Sequence, residues 1–452
     1  MFKLVKLPLR PATAAVRNKG TSASSFNRAM SARKCSPKSA DRLSTLDPSG
    51  TVFAEFTGLA IEHNAVNLGQ GFPTLPVPEF ITNAAIEACK DINPLHQYTR
   101  SEGHVRLVKA VSAFYSDKIG RTLDPLTEII TTVGATEALY SAIQAFVNPG
   151  DQVILMQPFY DSYPAAITLA GGVPVMVSLT PSKPALSSAD WRFDINEIRR
   201  AIVPGKTKMI MINNPHNPIG KVFERSELAQ IAAVAEEFDL LVIADEVYET
   251  LVYDDSSTPL IKFGSLPGMA ERTITVGSVG KMFGVTGWKI GWCLSTPEII
   301  RSIWMVHQYV PFSVVTPLQE ATAVALEKAM TNDYFERNVA EYQSLRNKLH
   351  GMLSSVGLTP TMPQGGYFIL ADTTSVPDDA AADPTERRRD FRVCRYLTKE
   401  AGVAPIPVSA FYAPEAQTGE VPAQLARFAF CKNADMLDRA GEKLASYGEK
   451  EH

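Results

Sequence analysis

Leu240-Leu-Val-Ile-Ala-Asp-Glu-Val-Tyr248, followed by Thr273-Ile-Thr-Val-Gly-Ser-Val-Gly-Lys281, decides how the chain is read. Each begins as a short β-rich run and breaks into polar residues at its carboxyl end. Apolar strands without alternation are covered on both faces, as in parallel sheets. Working outward, comparable runs occupy Glu128–Val133, Gln152–Met156, Val173–Leu179, Lys208–Ile212 and Lys289–Leu294. Helical spacing lies between some of them: Leu139, Ile143, Phe146 and Val147 after Gly134, and the stretch Ser226–Phe238. Alternating β and α over 79–328 predicts an α/β domain built on a mainly parallel sheet. From about 329 the texture changes to a long helix, Asp333–Leu353, then Gly366-Tyr-Phe-Ile-Leu-Ala371 and a charged loop, Val376–Arg389. A smaller α+β domain is therefore expected over 329–452, with 41–78 as an N-terminal arm that also contributes to it.

The composition agrees with a large globular protein. Of 452 residues, 45% are hydrophobic and 20% charged, which argues against long disorder or a membrane bundle. No run approaches the ~20 apolar residues of a membrane-spanning helix. Five widely spaced cysteines without a CxxC pair read as free thiols, not as a disulfide frame or zinc site. Residues 1–40 carry nine Lys or Arg and no acid, so the formal charge of −4 becomes −13 for the remainder. A basic, Ser-rich, acid-free start is the pattern of an organelle transit peptide, mitochondrial in the first instance. A plastid address, or a cytoplasmic protein with a solvated tail, is the alternative. The acidic body argues against nucleic-acid binding, which needs clustered Lys and Arg.

In an open α/β sheet, ligands bind beyond the carboxyl ends of the strands. There the sequence places Gly134-Ala-Thr136 opening a helix, whose free amides and positive dipole end suit a phosphate. It also places Asn213-Asn-Pro-His-Asn-Pro-Ile-Gly220, the carboxylate of Asp245 with the phenol of Tyr248, and Ser278-Val-Gly-Lys281. Taken singly, Asp245 reads equally well as a helix cap and Lys281 as one of 44 basic residues. Gly277-Ser-Val-Gly-Lys-Met282 fails the P-loop pattern, and Gly69-Gln-Gly71 fails the dinucleotide fingerprint. Seven scattered histidines give no reason to expect a metal. Together, a phosphate cradle, a carboxylate for a ring nitrogen and an amine for Schiff-base chemistry point to pyridoxal 5'-phosphate.

At this point the chain resembles a known family. Ser278-Val-Gly-Lys-Met-Phe-Gly-Val-Thr-Gly-Trp-Lys-Ile-Gly-Trp292 is similar to the lysine motif of fold type I aminotransferases. Asn213–Gly220, Asp245–Tyr248 and Arg427-Phe-Ala-Phe-Cys-Lys432 follow in the family order. Leu68-Gly-Gln-Gly-Phe-Pro73, Gln97-Tyr-Thr-Arg100, Pro158-Phe-Tyr-Asp161 and Ala404-Pro-Ile-Pro-Val-Ser-Ala-Phe-Tyr412 resemble the kynurenine aminotransferase group, also called glutamine transaminase K or cysteine-conjugate β-lyase. The resemblance implies a large domain with a seven-stranded sheet and a homodimer with shared active sites. It also implies transamination of kynurenine, glutamine, methionine or aromatic amino acids with a 2-oxo acid, with β-lyase chemistry as a side activity. Aspartate- or alanine-type transamination, and a non-catalytic binding protein of the same fold, are the alternatives.

Carried over residue by residue, the resemblance makes Lys281 the amine that binds the cofactor covalently and then moves a proton at the substrate Cα. Asp245 would hold the ring nitrogen protonated. Tyr248 and Asn217 would bond the cofactor's phenolic oxygen, and Tyr160 would stack on the ring. The amides of Ala135 and Thr136, with Ser278, Lys289 and Tyr98 of the partner subunit, would hold the phosphate. Arg427 would clamp the substrate carboxylate, helped by Asn217 and the Gly71 backbone. Phe53, Tyr98 and Phe312 would wall the side-chain pocket. Tyr163, His307 and Trp288 read as packing residues. Phe53, Thr136, Ser313 and His216 depart from the family's usual Trp, aromatic, His and Asn, which bears on substrate preference. Positions 302–336 contain no Arg, so the pocket is expected to disfavour an acidic side chain.

Overall fold

A computed structural model describes residues 40–46, 51–90, 94–183, 185–378 and 383–451. The basic stretch at 1–39, on which the targeting expectation rests, lies outside the described residues. Asp41–Thr45 forms a short 3-10 helix; the elements below belong to the part of the chain from Thr51 onward.

Seven strands make the main sheet: β1 (Ile129–Val133), β2 (Gln152–Gln157), β3 (Val173–Ser178), β4 (Thr207–Asn213), β5 (Leu241–Asp245), β6 (Thr273–Ser278) and β7 (Ile290–Leu294). Their order is β1-β7-β6-β5-β4-β2-β3. Only β7 runs antiparallel, pairing with β1 and β6, so the carboxyl ends of the other six share one edge. The strands predicted from unalternating apolar runs form with ends within two residues of the expected ones. Alternation is present after all, but both faces are buried. Val153 and Leu155 of β2 join Met209 and Met211 of β4 in one apolar layer, while Ile154, Met156, Ile210 and Ile212 join another. Helices cover these layers, including α1 (Gly134–Phe146), α2 (Arg225–Glu237) and α3 (Pro297–His307). Each such side chain contributes roughly 1.5–3 kcal/mol on burial, and a polar residue on either face would be stranded.

After the long helix α4 (Tyr334–Ser355) comes a second, antiparallel sheet. It consists of β8 (Thr359–Pro360), β9 (Phe368–Asp372), β10 (Ile406–Pro407) and β11 (Leu425–Ala429), in the order β8-β9-β11-β10. Arg427 lies mid-strand, opposite Leu370 on one side and Ile406 on the other. Among the described residues no helix is long and apolar enough to cross a membrane.

Candidate functional site

The shared strand edge opens into a cavity of about 330 Å³. Its lining brings together Gly71, Ala135, Thr136, Tyr160, Asn217, Asp245, Tyr248, Ser278, Lys281, Lys289, Arg427 and Phe53. Strand register does much of this work. Asp245 ends β5 opposite Asn213 of β4 and Val276 of β6, while Ser278 at the end of β6 pairs with Gly291 of β7. The polar residues that break each apolar run therefore arrive side by side.

Asp245 is buried and forms no ion pair with any described residue. Its Oδ2 accepts the Tyr163 phenol proton at 2.6 Å, and its Oδ1 accepts Val247 N–H at 3.3 Å. Burial pushes its carboxyl up, with the Tyr163 and Val247 hydrogen bonds and Lys281 acting against the rise. A carboxylate so placed is stabilised by a cation brought to it. Tyr163 was read as packing; the structure instead gives its phenol a direct bond to the site carboxylate. That role was invisible in sequence because an aromatic in the first turn of a helix looks like core.

Lys281 is held by Ser278, whose Oγ accepts Gly280 N–H at the start of a four-residue helix, Val279–Met282. Burial lowers its amine to about 8; Arg427 and Lys289 push the same way, against Cys431 and Asp245. Nζ donates to Tyr367 Oη at 2.9 Å. A lysine near 8 supplies free amine close to neutral pH, as nucleophilic and proton-transfer chemistry requires.

The helix-start cradle forms as expected. Gly134 takes φ +70, and a Cβ there would lie 3.2 Å from Lys289 Nζ. The lysine ammonium thus rests against the amino end of α1. A Cβ on Gly291 would come within 2.7 Å of Ala135 N, so the neighbouring strand also requires glycine. Glu137, in the first turn, accepts Val133 N–H at 3.0 Å, and His307 Nδ1 stands 3.1 Å from its other oxygen. His307 therefore braces the cradle from behind, and Trp288 packs among apolar neighbours.

Arg427 is fully buried among Phe368, Phe411 and Phe53, whose ring centres lie 4.0, 4.6 and 5.4 Å from its guanidinium carbon. Nη1 donates to Asn217 Oδ1 at 3.1 Å and Nη2 to Gly69 O at 2.9 Å. Nε has no partner among the described residues, and no carboxylate pairs with the guanidinium. Burial brings it down to about 10, so it remains charged at neutral pH. A buried, unpaired guanidinium is a place for a carboxylate.

Two expected residues are not brought to this cavity by their own chain. Tyr98 is 82% and Phe312 53% exposed, and they pack edge-on against each other with centroids 5.1 Å apart. His216 is buried away from the lining, and burial with the nearby Lys221 pushes it down to about 3, leaving it neutral. Sequence reading missed Gln70, Phe72 and Phe368 of the lining, and Tyr367 behind it. The Gly366-Tyr-Phe pair was legible as a strand start without indicating which ring faces the site.

The residues fit pyridoxal phosphate on three counts. A buried carboxylate lacks a cation, an amine is tuned toward its free base, and a helix start carries an ammonium.

Comparison with known proteins agrees with this geometry. The family model described as aminotransferase class I and II matches residues 63–444. A kynurenine–oxoglutarate transaminase of Dictyostelium discoideum is 45% identical over 424 residues, covering 90% of this chain and 96% of the relative. Human kynurenine–oxoglutarate transaminase 1 is 38% identical, covering 87% and 95%. Among solved structures, an Escherichia coli protein with a methionine aminotransferase function superposes with a TM-score of 0.81 at 32% identity, covering 90% and 99%.

Proposed function

Because this chain belongs to the class I and II aminotransferases, we propose that it binds pyridoxal 5'-phosphate in the cavity around Lys281. There it would move the amino group of kynurenine, glutamine, methionine or an aromatic amino acid to a 2-oxo acid. One observation carries the reading. Asp245 without a cation, Arg427 without an anion and the Lys281 amine at about 8 share one buried pocket. When bound, the cofactor supplies an aldehyde that captures amines and a ring that draws electrons from the substrate Cα.

The chain's residues do the rest. Lys281 anchors the cofactor and carries the proton at Cα. Asp245, held by Tyr163, stabilises a positive ring nitrogen. Tyr248 and Asn217 bond the phenolic oxygen, and Tyr160 covers the ring. Ala135, Thr136, Ser278 and Lys289 receive the phosphate. Arg427 fixes the substrate carboxylate through the N–H groups left unpaired, with Asn217 and Gly71 beside it.

The pocket's cations are Arg427, Lys281 and Lys289, all assigned above, so among the described residues no further cation lines it for a side-chain carboxylate. Phe53 supports flat or long uncharged side chains. β-Elimination from cysteine conjugates belongs to the same proposal, since the carbanion can expel a leaving group. The reading extends to a homodimer, in which Tyr98 and Phe312, exposed on one chain, reach the other's site. It also extends to a mitochondrial location, supported by the acid-free residues 1–40.

The test is a donor-by-acceptor panel on the chain lacking residues 1–40. Kynurenine, phenylalanine, methionine and glutamine should outrun aspartate by roughly tenfold or more in kcat/KM. Aspartate as the best donor would overturn the substrate assignment and leave the cofactor reading standing.

A further inference from the structure

The resting place of the Lys281 amine is set by a residue that the reaction described above does not use. Tyr367 precedes β9 and is fully buried. Its ring meets Tyr248 edge-on at 5.0 Å and stacks on Tyr342 at 6.2 Å. The backbone is fixed on both sides: Gly366 N–H donates to Leu251 O at 2.8 Å, and Phe430 N–H donates to Tyr367 O at 3.1 Å.

The phenol donates its one proton to Gly71 O at 2.5 Å, and Lys281 Nζ donates to the same phenol oxygen at 2.9 Å. With its proton committed to Gly71, the phenol faces the lysine as acceptor only. Nζ also directs an N–H toward Gly71 O across 3.5 Å. A neutral primary amine has two N–H bonds and one lone pair. Both N–H bonds are thus turned to Tyr367 and Gly71, and the lone pair is left on the opposite side.

We propose that Tyr367 is a positioning residue that holds the released Lys281 amine with its lone pair presented to the reacting carbon. The amine is then oriented to take the proton from the substrate Cα and to regain its link to the cofactor without a rotamer search. The ring contacts of Tyr367 are aromatic, so phenylalanine would fill the space equally well; the hydroxyl is used by Gly71 O, by Lys281 and by the Tyr248 phenol. This inference rests on the reading of Lys281 as anchor and proton carrier.

The experiment compares full-length wild type, Tyr367→Phe and Lys281→Met. Melting temperature, kcat and KM for the best donor of the panel are measured. So is the rate at which cofactor-stripped protein regains its visible absorbance band on adding pyridoxal phosphate. Tyr367→Phe should melt within roughly 3 °C of wild type, as loss of the hydroxyl's hydrogen bonds allows in a chain this large. KM should stay within about twofold, while kcat and the recapture rate fall by about ten- to a hundredfold, the scale of a misplaced reacting group. Unchanged kcat and recapture would overturn the proposal. So would failure to fold or a large drop in melting temperature, because the hydroxyl would then serve the fold. Lys281→Met separates the two readings. If it keeps the band and turns over, the anchor assignment falls. If it loses both while Tyr367→Phe behaves as wild type, only the positioning role falls.

Discussion

Replacing Lys281 by methionine should make the cofactor-free protein more stable at neutral pH, although it abolishes turnover. The lysine's folded-state value of about 8 lies below the ordinary value of 10.5, chiefly because the amine is buried. Below pH 8 the group is protonated in both folded and unfolded chains, and the fold carries the full cost of the buried ammonium. At about 1.4 kcal/mol per pH unit that cost is roughly 3 kcal/mol. Between pH 8 and 10.5 the unfolded chain binds the proton more than the folded one, so stability rises with pH; above 10.5 the penalty is gone. Methionine has a similar length, leaves Arg427 and Lys289 without a third positive neighbour, and forfeits a hydrogen bond to Tyr367 worth about 1 kcal/mol. The net gain at pH 7 should be about 2 kcal/mol. The assay is thermal melting of both proteins, stripped of cofactor, at intervals from pH 7 to 10.5. Lys281→Met should melt higher at pH 7, with the difference closing across pH 8–10. A variant less stable at pH 7, or a difference indifferent to pH, would refute the argument that burial holds this amine near 8.

Asp245→Asn should retain some cofactor but lose roughly a hundredfold or more in rate, because a neutral amide cannot stabilise a positive ring nitrogen; an unaltered rate would remove Asp245 from the chemistry. Tyr163→Phe deletes the hydrogen bond that opposes the burial-driven rise of Asp245. Its pH–rate profile should therefore lose activity on the acid side at higher pH than wild type, and a superimposable profile would return Tyr163 to a packing role. Residues 1–40 fused to a fluorescent reporter should carry it into mitochondria, and the chain without them should keep full activity; a cytosolic reporter would remove the targeting proposal.

Much of the main sheet was legible because burial on both faces leaves a plain mark, an apolar run that stops abruptly. The stops were informative too. Asn213, Asp245 and Ser278 end adjacent strands, and parallel register carries them to one edge. What sequence could not convey was which aromatic neighbour turns toward that edge. Tyr160 precedes the helix Ser162–Leu169 and Tyr163 lies in its first turn, their rings edge-on, yet Tyr163 alone bonds Asp245. Tyr367 and Phe368 are consecutive and their ring centroids lie 4.8 Å apart, yet one meets Lys281 and the other Arg427. That division depends on how distant segments pack around the two rings, and a single sequence does not state it. Tyr98 and Phe312 were named by resemblance alone, and on their own chain they are exposed and outside the cavity lining.

Arg427 sits mid-strand in the second sheet, while Lys281 lies in the short helix that follows β6 of the first, 146 residues earlier. A ribosome adding about 5–20 residues per second needs roughly 7–30 s to cross that interval. During this time the emerging chain carries the amine without the guanidinium proposed to hold the substrate carboxylate. A C-terminal truncation ending before β11, if it persisted and bound the cofactor, would accept primary amines with or without a carboxylate. In the order of synthesis, the proposed reactivity precedes the proposed selectivity.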